Sequence, residues 1–206
     1  MSNKQSRIYL ASQSPRRREL LKQIGVNFEM LLLRSNPQRE LAVDESPLKD
    51  EPPSDYVQRI CKLKAQAGWN ALKLRNLPPF PVLAADTTVT VDDTIIGKPT
   101  DHDHAVEILR SLSGRQHKVL TAVALSYEDR FEMRLSSTIV TFSKLDDDRI
   151  HRYLLNNDVN DKAGAYGIQG HAGAFVERLD GSYTGVMGLP LFETVELLNI
   201  FGYPAP

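Results

Sequence analysis

The sequence predicts an α/β domain with a cleft between two lobes, and three observations support this prediction. An apolar strand, Ile8–Ala11, is followed three residues later by a helix that begins at Pro15. A second apolar run, Val82–Ala85, is typical of a strand buried on both faces and leads directly into Asp86. Two β-rich runs on either side of Glu128–Arg130 predict an antiparallel hairpin. Together these features indicate a mixed sheet with flanking helices.

The remaining elements follow from apolar periodicity and turn residues along the chain. Glycines at 25 and 114 end the helices that precede them. Valines alternate with polar residues after Asp86, which leaves open a second strand segment there. The other predicted strands and loops are a strand over 26–33, a proline-rich loop over 34–53, a strand end and turn over 95–99, and strands over 174–179 and 183–186 that form a hairpin around Asp180-Gly181. The other predicted helices are one capped by Ser54 or Asp55 that runs to about Leu74, and those over 101–112, 146–156 and 189–201.

Composition excludes several classes of protein. The 206 residues carry 25 Lys and Arg against 26 Asp and Glu, and this balance argues against a general nucleic-acid binder. No apolar run approaches the ~20 residues of a membrane span, and the polar start does not resemble a signal peptide. The single cysteine, Cys61, excludes an internal disulfide and is expected to be a core residue. We therefore expect a protein of the cytoplasm that binds neither membrane nor nucleic acid.

The turn after the first strand has the features of an anion site. Ser12 and Ser14 precede a helix whose first positions hold Pro15 and then Arg16, Arg17 and Arg18. Ser14 suits the N-cap and Pro15 the first helical position. Cations in a first helical turn oppose the helix dipole, unless an anion binds the free N–H groups there. A phosphate site and a solvated basic turn both fit these residues.

Three further charged residues stand out for different reasons. Asp86 follows a buried strand, where open α/β sheets place their active sites, although it would also suit a turn cap. Glu45 lies in a long polar loop and Lys64 on the second helix, and each is most simply a surface charge. His102 and His104 do not share a helix face, so they are a poor metal pair.

A glycine-rich stretch, Asp161–Gly170, is the second unusual segment. Glycines at 164, 167 and 170 do not suit a helix and indicate positive φ angles or a close backbone approach. The spacing matches neither the P-loop nor the dinucleotide-binding fingerprint. A simple glycine-rich turn is the alternative.

Taken in order, these segments resemble the Maf family of nucleoside triphosphate pyrophosphatases. The resemblance covers nearly the whole chain and implies one domain over residues 7–202. It depends on five motifs, Leu10-Ala11-Ser12-Gln13-Ser14-Pro15-Arg16-Arg17, Ala85-Asp86-Thr87, Gly97-Lys98-Pro99, Leu112-Ser113-Gly114 and Asp161–Gly170. It implies an elongated α/β fold related to inosine triphosphate pyrophosphatases, which is often dimeric. It also implies hydrolysis of a nucleoside triphosphate to the monophosphate and pyrophosphate with Mg²⁺ or Mn²⁺, in a house-cleaning role.

The resemblance also assigns roles to individual residues. Asp86 matches the catalytic proton acceptor. Positions tied to substrate choice are matched by Arg16, Thr87 and Gln169, and other polar positions of the pocket by Ser12, Arg17, Glu45, Lys64 and Lys98. Four cations suit a triphosphate, and the carboxylates of Asp86 and Glu45 suit Mg²⁺. Residue chemistry leaves open whether Asp86 takes a proton from water or holds the metal.

Two alternatives differ in substrate or in class. A sister group that prefers 7-methyl-GTP resembles Ser-Pro-Trp-Arg at the first motif, whereas this chain has Arg16, like the dTTP/UTP group. The older septum-inhibitor name of the family implies a nucleotide-binding regulator of cell division. The presence of Asp86 beside four cations favours an enzyme, which is expected to act on dTTP, UTP and modified pyrimidine nucleotides.

Overall fold

The computed structural model describes residues 7–33 and 43–203. Residues 34–42 of the predicted proline-rich loop lie outside this range. The strands are β1 (Ile8–Leu10), β2 (Phe28–Met30), β3 (Val82–Val91), β4 (Thr94–Ile96), β5 (Gln116–Tyr127), β6 (Arg130–Phe142) and β7 (Val176–Asp180). The helices are α1 (Pro15–Gln23), α2 (Pro53–Leu74), α3 (His102–Leu112), α4 (Asp147–Leu155), α5 (Tyr183–Val186) and α6 (Leu191–Ile200), with 3₁₀ turns over Ala163–Ala165 and His171–Phe175.

All the described strands belong to one mixed sheet, which confirms the predicted fold class. The strand order is β2-β1-β3-β5-β6-β7, and β4 pairs with β3. β1 runs parallel to both β2 and β3, while the other pairs are antiparallel. The predicted hairpin is confirmed, with Tyr127 opposite Arg130 across the turn.

The side-chain alternation of β3 determines which helix each of its residues meets. Val82 and Ala84 face α2 and pack against its Val57 and Cys61. Leu83 and Ala85 point the other way, into the core formed with α1 and α6. Because successive strand residues alternate between faces, residue 86 must face α2.

Helix α2 lies unusually close to the sheet. A Cβ atom added to Gly68 would lie 2.7 Å from Val82 Cγ1. Cys61 is fully buried on the same helix, and its Sγ lies 3.6 Å from the carbonyl oxygen of Ala84. The predicted core role of Cys61 is therefore confirmed.

Several predicted boundaries were wrong. Asp86 lies in the middle of a ten-residue strand rather than at a strand end, because the strand segment that was left open after Asp86 continues the same strand. The second strand is only three residues long. Helix α2 is preceded by Pro52 at its N-cap rather than by Ser54 or Asp55, and α6 follows Pro190, because each proline fixes φ just before a helical turn.

The predicted hairpin around Asp180-Gly181 was also wrong. β7 pairs with β6 instead, with Asp180 opposite Ile139. Residues 183–186 form α5, because Ser182 Oγ accepts a hydrogen bond from the Gly185 amide and caps a single helical turn. Helices α3 and α4 were predicted correctly, with Asp101 and Asp146 as capping side chains.

No helix among residues 7–33 and 43–203 is both long enough and apolar enough to cross a membrane.

A buried histidine gives the fold a pH-dependent stability. His117 on β5 is 2% exposed, and its Nε2 lies 2.8 Å from the Tyr166 hydroxyl. Its Nδ1 has no hydrogen-bond partner among residues 7–33 and 43–203. Burial lowers the pKa of His117 from 6.5 to about 4. Between about pH 6.5 and pH 4, His117 is therefore protonated in the unfolded chain but neutral in the folded protein. The free energy of unfolding falls as the pH is lowered through this range.

We expect the free energy of unfolding to drop by about 2 kcal/mol more between pH 7 and pH 5 in the wild type than in His117→Gln. Urea unfolding of both proteins at the two pH values measures this difference. If the free energy of unfolding had the same pH dependence in both proteins, His117 would not be its source.

Candidate active site

A cleft of about 1240 Å³ opens beside β3 and α2. It is lined by all nine residues that the sequence singled out, namely Ser12, Arg16, Arg17, Glu45, Lys64, Asp86, Thr87, Lys98 and Gln169. These residues come from segments that are far apart in sequence. The fold therefore brings the predicted site residues to one surface.

Lys64 joins the two carboxylates of the cleft. Its Nζ lies 2.6 Å from Asp86 Oδ1 and 2.9 Å from Glu45 Oε1. Asp86 is 6% exposed, and the Lys64 side chain is 16% exposed. Lys64 is therefore a largely buried member of the site, and the simple reading of it as a surface charge was wrong.

The loop that carries Glu45 is attached to α2 at several points. The Tyr56 hydroxyl donates to the carbonyl oxygen of Glu45 at 2.9 Å. Arg59 forms a two-point ion pair with Glu51, at 2.6 and 2.7 Å, and donates to the Ser46 carbonyl oxygen at 3.0 Å. These contacts hold the Glu45 carboxylate next to Lys64.

The ionisation of this region follows from the same contacts. Partial burial raises the pKa of Glu45, but Lys64, with Lys98 and Arg17 nearby, more than offsets this and leaves that pKa below its ordinary value. Burial, together with the charges of Asp86 and Glu45, raises the pKa of Tyr56 to about 12. Glu45 is thus a carboxylate and Tyr56 a neutral donor at neutral pH.

Arg17 connects three segments of the chain around the cleft. Its Nε donates to the Gly188 carbonyl oxygen at 2.7 Å, Nη1 to Ser12 Oγ at 3.3 Å and Nη2 to Thr87 Oγ1 at 3.2 Å. Desolvation lowers the pKa of Arg17, although a guanidinium stays charged at neutral pH. Each Nη keeps one N–H for a ligand, so Arg17 can both order the site and contact an anion.

The backbone at Gly188 allows this arrangement. Its φ is +110°, a conformation that side-chain-bearing residues rarely adopt. A Cβ there would lie 3.6 Å from both Arg17 Nε and Thr87 Oγ1. Thr121 supports the same corner, with its Oγ1 3.0 Å from Thr87 Oγ1 and 2.8 Å from the Gly185 carbonyl oxygen.

Arg16 pairs with the start of the glycine-rich segment, which also lines the cleft. Its Nη1 donates to Asp161 Oδ2 at 3.3 Å. The other carboxylate oxygen, Asp161 Oδ1, accepts a hydrogen bond from Lys162 Nζ. All three side chains line the cleft, so a cation, a carboxylate and a second cation follow one another along its wall.

Two neighbouring residues of the glycine-rich segment, Gly164 and Ala165, have positive φ angles, and that of Ala165 is +57°. Gly164 has a φ of +73°, and a Cβ there would approach Val89 Cγ2 to 3.0 Å. Gly167 and Gly170 do not adopt positive φ angles. The prediction of positive φ is therefore confirmed only at Gly164, which packs the segment against β3.

Lys98 and Gln169 are the two predicted site residues whose side chains have no polar partner within residues 7–33 and 43–203. Both are exposed, and neither forms a hydrogen bond or an ion pair with another residue in the described ranges. Their side chains are therefore available to a ligand.

We expect Lys98→Ala to lower kcat/KM for a triphosphate substrate by roughly 10- to 100-fold, because a charge-assisted hydrogen bond contributes about 1.5–3 kcal/mol. Steady-state pyrophosphate release measures this loss. Lys118→Ala is the matched control, since Lys118 lies outside the cleft, 4.0 Å from Asp93. Equal kcat/KM in Lys98→Ala and the wild type would contradict the role.

The acidic residues of the cleft fit a metal that is shared with a phosphate ligand. No group of three or more His, Cys, Asp or Glu residues within residues 7–33 and 43–203 is placed to hold a metal. Asp86 and Glu45 both contact the Lys64 ammonium, so the cleft already holds two carboxylates around one positive charge. Mg²⁺ often binds one or two carboxylates together with phosphate oxygens and water, and this pair satisfies that requirement.

The structure adds residues that sequence reasoning missed. Tyr56 supports the Glu45 loop, and Thr121 supports Thr87. Asp161 contacts Arg16, and Lys162 contacts Asp161. The spacing of residues along α2 could have indicated Tyr56 and Lys64 as members of the site. Tyr56 and Lys64 lie four residues before and after Ile60, at helical spacings on its buried face.

The chain is similar to proteins of one family over nearly its whole length. The family model described as "Maf-like protein" matches residues 7–201. A protein of Aromatoleum aromaticum named dTTP/UTP pyrophosphatase is 55% identical over 201 residues, which is 97% of this chain and 98% of that protein. A Nitrosomonas europaea protein of the same name is 53% identical over 195 residues, 95% of this chain and 94% of its own. The solved structure of the Staphylococcus aureus Ham1 protein aligns with 66% of this chain and 71% of its own at 15% identity, with a TM-score of 0.46.

Proposed function

This chain belongs to the Maf family, and from that premise we propose that it hydrolyses dTTP and UTP to the nucleoside monophosphate and pyrophosphate. Two relatives that match it over nearly their full lengths are named dTTP/UTP pyrophosphatase. The observation that carries the proposal is the Lys64 bridge between Asp86 and Glu45 inside a cleft that also holds Arg16, Arg17 and Lys98. The cationic groups suit the phosphate oxygens of a triphosphate, and the carboxylates suit a metal ion or the proton of an attacking water molecule.

The chemistry assigns a task to each group. Arg17 and Lys98 offer free N–H donors to the phosphate oxygens and so orient the chain of phosphates. The oxygen of a water molecule bonds to the α-phosphorus, the bond from that phosphorus to the bridging oxygen breaks, and pyrophosphate leaves with the electron pair. Asp86 accepts the proton that the water loses. Lys64 fixes the Asp86 carboxylate in the cleft at 2.6 Å.

A divalent cation, Mg²⁺ or Mn²⁺, belongs to this proposal as a cofactor. Asp86 and Glu45 would hold it, with substrate phosphate oxygens as further ligands. Such a cation neutralises charge on the phosphates when it is bound. Lys64 contacts both carboxylates, so it would have to give up at least one of these contacts if both carboxylates held the cation.

The proposed preference for uracil and thymine rests on two polar residues that line the cleft, Arg16 and Gln169. Arg16 supplies donors only, whereas Gln169 supplies a donor and an acceptor on one side chain. Thymine and uracil offer carbonyl acceptors at O2 and O4 and an N3–H donor, whereas cytosine offers an amino group in place of O4. Modified pyrimidine triphosphates that keep this edge are expected substrates as well, consistent with a house-cleaning role.

A pyrophosphate-release screen over natural and modified triphosphates, with Mg²⁺ or Mn²⁺, tests the proposal. We expect dTTP and UTP to give the highest kcat/KM, with CTP and purine triphosphates much lower. A higher kcat/KM for 7-methyl-GTP would assign the chain to the sister activity. Triphosphate binding without pyrophosphate release would favour a nucleotide-binding regulator.

A cytoplasmic location and a homodimer complete the proposal. The single cysteine is buried and has no second cysteine with which to form an internal disulfide, and this supports a reducing compartment. Light scattering in solution tests the dimer.

A further inference from the structure

We propose that Arg16, Asp161 and Lys162 together form the reader of the pyrimidine edge, with Asp161 as the acceptor that selects the N3–H of uracil and thymine. This inference rests on the proposed function and assigns a specificity role to two residues that the sequence had not singled out. Asp161 accepts from Arg16 at Oδ2 and from Lys162 at Oδ1. The three side chains therefore present a donor, an acceptor and a donor in sequence along the cleft wall.

That order complements one base edge and not the other. Uracil and thymine present O2, N3–H and O4, which is acceptor, donor and acceptor. Cytosine presents O2, N3 and an amino group, which is acceptor, acceptor and donor. A carboxylate facing the unprotonated N3 of cytosine would place two acceptors together, and Lys162 facing the amino group would place two donors together.

Each group retains capacity for a ligand. A carboxylate has about four lone-pair sites, and each Asp161 oxygen uses one for a cation. Lys162 donates to the Asp158 carbonyl oxygen and to Asp161, which leaves its third N–H. Arg16 donates from Nη1 in its contact with Asp161, so other guanidinium N–H groups stay available.

Exposure and charge support the same assignment. The side chains of Arg16 and Lys162 are 21% and 20% exposed, whereas that of Asp161 is 54% exposed. The acceptor is thus the accessible member between two better-covered cations. Partial burial raises the pKa of Asp161, but Lys162 and Arg16 outweigh it, so its pKa lies below the ordinary value and it stays a carboxylate.

The test compares kcat/KM for UTP, CTP and N3-methyl-UTP in the wild type and in Asp161→Asn. N3-methyl-UTP keeps both carbonyl groups of uracil and lacks only the N3–H donor. In the wild type we expect strong rejection of CTP and of N3-methyl-UTP. In Asp161→Asn, whose amide N–H can donate to the N3 of cytosine, the UTP:CTP ratio should fall by about tenfold or more.

Asp158→Asn is the matched control, since Asp158 lies in the same loop and its carboxylate accepts from the Asn160 amide instead of Arg16. This variant should keep the wild-type ratios. A fall in kcat/KM by one common factor for all three nucleotides in Asp161→Asn would overturn the inference and leave Asp161 a general support of the loop. Failure of the wild type to release pyrophosphate from UTP would instead overturn the proposed function itself, and the inference with it.

Discussion

Replacing Asp86 with asparagine is expected to reduce the rate of pyrophosphate release by roughly 10²–10⁴-fold, the usual contribution of a positioned proton acceptor. Asn has nearly the same shape as Asp but carries no charge and accepts a proton far less readily. The substitution should leave the fold intact, because Lys64 keeps its partner Glu45 at 2.9 Å. Steady-state kinetics and urea unfolding of the same preparation measure both expectations.

A matched control and a metal titration make this experiment more specific. Asp147→Asn removes an exposed carboxylate that pairs with Arg110 and does not line the cleft, so this variant should leave activity unchanged. Activity that recovers in Asp86→Asn as the Mn²⁺ concentration rises would identify Asp86 mainly as a metal ligand. Activity that stays low at every Mn²⁺ concentration would identify it as the proton acceptor. Turnover within a few-fold of the wild type without added Mn²⁺ would contradict both roles.

The sequence was sufficient to predict those helices and strands whose residue pattern and turn residues indicate the same structure. The hairpin of β5 and β6 and the buried strand at Val82 were predicted from β-rich and apolar runs, and helices α3 and α4 from apolar spacing and an acidic first turn. Residues 183–186 were not, because Tyr, Thr and Val favour strands and a four-residue helix is too short to show helical periodicity. The Ser182 cap, which local reading did not weigh, determines the outcome there.

The site was predictable as a set of residues but not as a set of contacts. Arg17 and Gly188 are 171 positions apart, and nothing local to either residue indicates their hydrogen bond. Asp161 lies in a polar loop, where a carboxylate normally faces water, so its pairing with Arg16 gave no sequence signal. Lys64 did give one, because it lies three residues after the buried Cys61 and four before Gly68 on the buried face of α2. A lysine on such a face needs a partner, and side-chain alternation along β3 places Asp86 opposite it.

The salt bridge between Lys64 and Asp86 leads to the second large expected effect. We expect Lys64→Met to lower the free energy of unfolding by about 3 kcal/mol, the usual cost of leaving one member of a buried ion pair without its partner. Asp86 is only 6% exposed, whereas the Glu45 side chain is 44% exposed and can turn to water. The loss should therefore come mainly from Asp86. Urea unfolding at neutral pH measures it.

The double variant Lys64→Met/Asp86→Asn separates this cause from lost packing of the lysine stem. If an unpaired Asp86 charge is responsible, the added Asn should restore most of the stability, and the two single effects will not add. If the lysine stem is responsible, the effects will add and the interpretation fails. Arg110→Met provides the exposed comparison, because Arg110 and Asp147 are 51% and 61% exposed and such pairs contribute only about 0–1 kcal/mol. A cost in Lys64→Met as small as that in Arg110→Met would mean that Asp86 finds water or another partner in the cleft.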